Sequence, residues 1–268
     1  MRRALSSAVV CVALLTAGCA TTGPDNPAAT PKSTAPTASA SATAEADHSR
    51  TVRAAIEALT TAHTVYRWEA GQTGGKTYAL TGKGGHDFTR GQGTLEVRLE
   101  DVARVEHVFT PERLYLRTTT KKESANWMFT DRSGIKAERL LKTPGNDPEF
   151  LLRQVVKAER YRKIGTEKVA GTSTTLYRGE LTHAALTLDM SAEARKKTDQ
   201  IRDMLGGTIP ATAEVWIDGR GRLTQLRLEM DLKATMRTTT TLALVGHGEP
   251  LKVQIPTDAA EADASHLA

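Results

Sequence analysis

Residues 213–233 read AEVWIDGRGRLTQLRLEMDLK, and this stretch decides the fold class. Its second half alternates strictly. Leu226, Leu228, Met230 and Leu232 fall on one side, with Arg227, Glu229 and Asp231 on the other. A period of two marks a strand with one face on a core and one in water. Residues 213–218 form a first strand, and Gly219, Arg220 and Gly221 between the two are a hairpin signal. The region therefore predicts antiparallel pairing.

The same texture extends in both directions. Residues 94–100 alternate Leu95, Val97 and Leu99 against Glu96, Arg98 and Glu100. Further strands are predicted at 65–69, 77–81, 102–109, 113–118, 126–130, 161–169, 174–181, 235–245 and 251–255. A helix is predicted over 47–64, capped by Asp47 or Ser49, with Val52, Ile56 and Leu59 on one face. A helical patch is expected over 134–142. Asp147 as cap and Pro148 as first helical residue open another helix, running to about Arg160. A last helix spans 191–205 and stops at Gly206 and Gly207. No βαβα series and no solenoid repeat appears. Runs of strands with helices inserted mid-chain predict an α+β fold, one antiparallel sheet with helices on a single side.

The N-terminus speaks to location. Met1, Arg2 and Arg3 precede an apolar run over 4–17, long enough for a secretory signal and short of the ~20 residues that span a membrane. The run ends in Leu15-Thr16-Ala17-Gly18-Cys19. That sequence resembles the bacterial lipobox, which implies a signal peptide over 1–18 and a diacylglycerol-bearing Cys19. The chain has two cysteines; Cys11 lies inside the apolar run, so no disulfide or thiolate site is expected in the domain. Residues 19–46 are rich in Ala, Thr, Pro and Ser and carry no large apolar side chain after Cys19. They are expected to form a disordered tether with a reach of about 30 Å. The folded domain is expected over 47–256, with a frayed tail over 257–268.

Chemical motifs are sparse. Residues 70–77, AGQTGGKT, spell a relaxed P-loop. A P-loop hands phosphates to a helix N-terminus, and the glycines at 82, 84 and 85 deny this one a helix. A hairpin turn is the better reading, with Lys76 solvated and no nucleotide bound. The seven histidines include no i, i+4 pair and no HExxH, so no metal site is expected. Ser133 and Lys136 spell SxxK without a downstream KTG, and Ser133 reads as a helix cap. Glu229 and Asp231 read as solvated charges. The formal charge of +5 shows no Lys/Arg cluster with interleaved aromatics, which speaks against nucleic acid. No catalytic constellation and no cofactor motif remains, so an enzyme is not expected.

Several stretches together carry a family resemblance: RLYLR (113–117) with Trp127 nearby, GTEKVAGTSTTLYRGEL (165–181), PATAEVWIDGRGRLTQLRLEM (210–230) and PLKVQIPTDA (250–259). With the lipobox and tether, the chain resembles actinobacterial lipoproteins of the LppX/LprG type within the LolA-like group. The resemblance implies a half-open β-barrel, a curved antiparallel sheet with helices on its concave side. It also implies a lipid or other apolar ligand held between sheet and helices. Only 4% of the residues are aromatic, so the lining would be aliphatic. The alternating positions Leu95, Val97, Leu99, Leu226, Leu228 and Met230 are the expected lining, and the helices over 147–160 and 191–205 the movable cover. The expected role is a lipid carrier anchored by Cys19 on the outer face of the cytoplasmic membrane. The alternative is an interaction or sensing lipoprotein with a filled core and an envelope protein partner.

Overall fold

A computed structural model describes residues 38–72, 74–99, 102–232 and 235–263, with side chains described from His48 onward. Cys19, the signal segment, most of the expected tether and the end of the tail lie outside the described residues. The chain order is α1 (Ala38–Glu57), β1 (Thr61–Gly71), β2 (Thr77–Asp87), β3 (Gln92–Leu99), β4 (Ala103–Phe109), β5 (Arg113–Thr120) and β6 (Met128–Asp131). Then follow α2 (Pro148–Val156), β7 (Glu159–Val169), β8 (Thr172–Glu180), α3 (His183–Leu186), α4 (Ala192–Met204), β9 (Ala211–Asp218), β10 (Leu223–Asp231), β11 (Arg237–Val245) and β12 (Ala260–Glu261).

The described strands form one 12-stranded sheet in the order β12-β6-β5-β4-β3-β2-β1-β11-β10-β9-β8-β7. Nearly every neighbour is a hairpin partner, so the pairing is antiparallel throughout except β12 with β6. The ends β12 and β7 do not meet, and the sheet stays curved and unclosed. The hairpin at 213–233 pairs as the sequence predicts, with Leu226 opposite Val215 and Leu228 opposite Ala213. Cross-strand partners share a face. The inner face therefore carries Val215, Leu226, Leu242, Tyr66, Gly82, Val97 and Val105 in one row across seven strands. The glycines of β2 fit the sheet by their lack of a side chain. A Cβ on Gly84 would lie 1.9 Å from the Thr94 carbonyl oxygen.

Helices α1 and α2 and the chain around α3 contribute Val52, Ala55, Leu59, Leu151, Leu152, Val155, Ala185 and Leu186 to the same core cluster as the sheet. Asp147 caps α2 as expected, its carboxylate accepting from the Glu149 N–H, with Pro148 in the first turn. Ser191 caps α4, accepting from the Ala194 N–H.

Several boundaries differ from the sequence reading. The first helix begins at Ala38, inside the stretch read as tether, and ends at Glu57 rather than near residue 64. Residues 61–64 belong to β1, where Ala62 and Thr64 alternate inward with Tyr66 and Trp68. The helical patch over 134–142 is absent: Ala137 bridges to Met190 and Leu141 takes a positive φ of 55°, which an α-helix does not admit. Ser133 is not a cap; the Asp131 carboxylate caps a short turn by accepting from the Ser133 N–H and hydroxyl. Residues 251–255 join no ladder, and the tail is not frayed at Ala260–Glu261, which pair with Met128 and Phe129. Glu229 is not simply solvated, since Arg237 holds it at 2.9 Å. The AGQTGGKT stretch closes the β1–β2 hairpin, with Gly71 opposite Thr77.

Candidate functional site

Five of the six expected lining residues lie together in the main core cluster: Leu95, Val97, Leu226, Leu228 and Met230. The last three are fully buried. Leu99 departs from the expectation. It points to the same face of β3 as Leu95 and Val97, yet is 40% exposed. Around it, Leu80 and Val105 are half-buried against the edge of the core, and Val102 and Tyr78 are exposed. The apolar inner face thus outruns its cover at the hairpin ends of β2, β3 and β4. At the boundary sits Trp68, 8% exposed, whose buried indole N–H has no partner among the described residues.

The cover is attached elsewhere by a row of buried polar contacts that the sequence did not suggest. Residues 141–149 cross the inner face, and successive strands reach up to them. Thr240 of β11 donates its hydroxyl to the Leu141 carbonyl. The Tyr66 and Thr143 hydroxyls of β1 and the segment meet at 3.1 Å. His107 of β4 meets the Asn146 amide at 3.1 Å, and His86 of β2 meets Glu149 at 2.8 Å. Sequence separations of 39 to 99 residues hide these pairs from any local pattern.

Each contact has a defined electrostatic character. His107 is 3% exposed, and its Nδ1 donates to the Leu95 carbonyl at 3.0 Å. Nε2 is thus left to accept from the Asn146 Nδ2, so the ring is neutral. Burial pushes its pKa down to about 4. The Tyr66 phenol is pushed up by burial, against the pull of its bond to Thr143. Burial alone would raise Glu149; the hydrogen bond from His86 and the charge of Arg132 outweigh it and hold the carboxyl below the usual range. Arg132 grips Asp147 through two nitrogens at 2.9 and 2.8 Å, reaches Glu149 at 2.9 Å, and donates to the Gly91 and Thr110 carbonyls. These groups fix the start of α2 against the rim of the sheet, beside a cavity of about 300 Å³ lined by Phe109, Leu114, Ile135 and Pro144.

No acid, base and nucleophile converge here, and among the described residues no group of three His, Cys, Asp or Glu side chains could hold a metal ion. Lys76 lies over the Tyr78 ring, 5.2 Å from its centroid, at an exposed turn. What the arrangement offers chemically is an apolar surface under a polar-latched cover.

No family model matches the chain, and no curated protein matches it. Solved structures similar to it do exist. One is LprF from Mycobacterium bovis, at 13% identity and a TM-score of 0.44, covering 79% of this chain and 97% of that one. A second is the lipoprotein LppX from Mycobacterium tuberculosis, at 16% identity and a TM-score of 0.35, covering 78% and 97%. A third is a LolA superfamily protein from Nitrosomonas europaea, at 8% identity and a TM-score of 0.25, covering 78% and 94%. These neighbours include the group that the sequence resembles.

Proposed function

We propose that the protein is an extracytoplasmic lipoprotein, anchored through Cys19, that binds a lipid or other apolar ligand between sheet and helices and carries it within the cell envelope. One observation carries the reading: the aliphatic inner face continues through the half-buried Leu80 and Val105 to Leu99, which is exposed. Aliphatic surface exposed there gains ~25 cal/mol per Å² when a ligand covers it. The test is native mass spectrometry of the purified protein before and after solvent extraction, followed by incubation with lipid vesicles. Bound apolar mass that is extracted and regained supports the proposal. Protein that is empty as isolated and stays empty refutes it. Metabolic labelling with palmitate, lost in Cys19→Ala, tests the anchor.

A second reading has its own support. Leu226, Leu228 and Met230 are fully buried, as in a filled core. An interaction or sensing lipoprotein would look like this, and a protein partner retained by a lipid-free chain would favour it.

A further inference from the structure

Past β11 the chain turns, the Gly248 N–H donating to the Thr61 carbonyl at 2.9 Å, and then crosses the outer face of the sheet. Leu251 seats on Gly85 of β2, where a Cβ would come within 2.7 Å of its Cδ2. On the far side the Ala260 N–H donates to the Trp127 carbonyl at 3.0 Å and the Ala262 N–H to the Phe129 carbonyl at 2.8 Å. Between these anchors, residues 251–258 make no backbone hydrogen bond among the described residues. Beneath them lies a cleft of about 980 Å³.

The dimensions suit an extended chain. Crossing from β2 to β12, beyond β6, takes five strand spacings of ~4.8 Å, or ~24 Å, the length of about seven extended residues. The nine residue steps from Leu251 to Ala260 can reach ~30 Å, so about a fifth of the strap's length is slack.

The chemistry of the lining selects the ligand class. Lys83 and Lys252 stand at the β2 side, Glu96 and Glu106 in the floor, and Arg117 and Trp127 at the β6 side. Charges of both signs make poor company for an acyl chain. Glu96 is held by Arg98 at 2.8 Å and Glu106 by Arg117 at 2.9 Å, so the charges of the floor are already paired and leave no free floor cation for a phosphate. A sugar ring would need an open aromatic face, and the Arg117 guanidinium occupies that of Trp127 at 4.7 Å. A peptide meets the demand that remains: its main chain can pair with the unpaired main chain of the strap.

We propose that this cleft is a peptide-docking site, in which an extended segment of a protein partner pairs with the backbone of residues 252–257 and lies over β3 and β4. The site is on the opposite face from the apolar interior and stands or falls separately from the lipid reading.

The test uses the full chain in detergent and a displayed dodecapeptide library, with affinities of selected peptides read by fluorescence polarisation. Gln254→Pro removes one strap N–H at an exposed position and should weaken selected peptides about 3- to 10-fold. Thr94→Trp fills the cleft and should abolish binding. Both variants should melt with the parent. A library that yields no binder overturns the proposal, as do binders that tolerate both substitutions.

Discussion

Replacing His107 with Gln should flatten the acid side of the stability profile between pH 7 and pH 5. The ring is buried and neutral, donating to Leu95 and accepting from Asn146. Burial lowers its pKa from 6.5 to about 4. The sign follows from linkage. The unfolded chain takes up the proton first as pH falls, so the stabilising contribution is complete above about pH 6.5 and is lost as pH drops through about 4. At ~1.4 kcal/mol per unit, that difference amounts to about 3 kcal/mol by pH 4 and about 2 kcal/mol between pH 7 and pH 5. The upper window is the useful one, because carboxylates join below it. Urea denaturation of parent and His107→Gln at pH 7, 6 and 5 gives the comparison. Other histidines contribute equally to both proteins and cancel in the difference. Gln can keep the donor to Leu95, so the variant should fold. Parallel pH profiles would refute the assignment of His107 as a buried neutral ring.

Gly84→Ala should cost more than ~3 kcal/mol or prevent folding, since its Cβ would sit 1.9 Å from the Thr94 carbonyl oxygen between paired strands; circular dichroism melts report it. Arg132→Met should cost ~3–5 kcal/mol in chemical denaturation, because Asp147 and Glu149 lose their shared cation inside the rim. Met230→Ala should cost ~2–5 kcal/mol and Leu99→Ala less than ~1 kcal/mol, although both were expected to line one cavity; equal costs would contradict the incomplete cover. Lys76→Ala should shift stability by less than ~0.5 kcal/mol and leave apolar ligand binding unchanged; loss of binding would reopen the phosphate reading of AGQTGGKT.

The strands were legible where the sheet is one-sided. Leu226, Leu228 and Met230 alternate with charges because one face meets core and the other water, and that contrast is written locally. Alternation blurs in β2, whose glycines at 82, 84 and 85 leave no side chain to sort, and the strand extends to Asp87 where the sequence suggested an end near 81. The start of β1 was lost for a related reason: Ala62 and Thr64 are small enough to continue a helical reading. Asp147 and Pro148 announced α2 through cap chemistry that needs only three neighbouring residues. The latch was illegible because its pairs, Tyr66 with Thr143 and His86 with Glu149, form across 77 and 63 residues. Alternation also placed Leu99 on the right face without revealing how far a cover encoded elsewhere would reach.

The latch bears on how an apolar ligand could enter a packed interior. A dry interface between cover and sheet could slide, whereas Thr240, Tyr66, His86 and His107 each admit one partner in residues 141–149 and so fix a single register. Each of these hydrogen bonds contributes only ~0.5–1.5 kcal/mol net, because water satisfies the same groups once the cover lifts, and the apolar surface carries the larger share. The cost of opening is therefore set mainly by the apolar surface uncovered. Exposing Leu226, Leu228 and Met230 costs ~1.5–3 kcal/mol each, or ~5–9 kcal/mol together. An acyl segment of about ten methylenes recovers ~8 kcal/mol at ~0.8 kcal/mol apiece. On the proposed reading the ligand replaces the cover's contacts instead of filling a preformed void. Entry starts at Leu99, where the sheet face is already exposed beside Leu80 and Val105, and no latch must break before the first methylenes are buried.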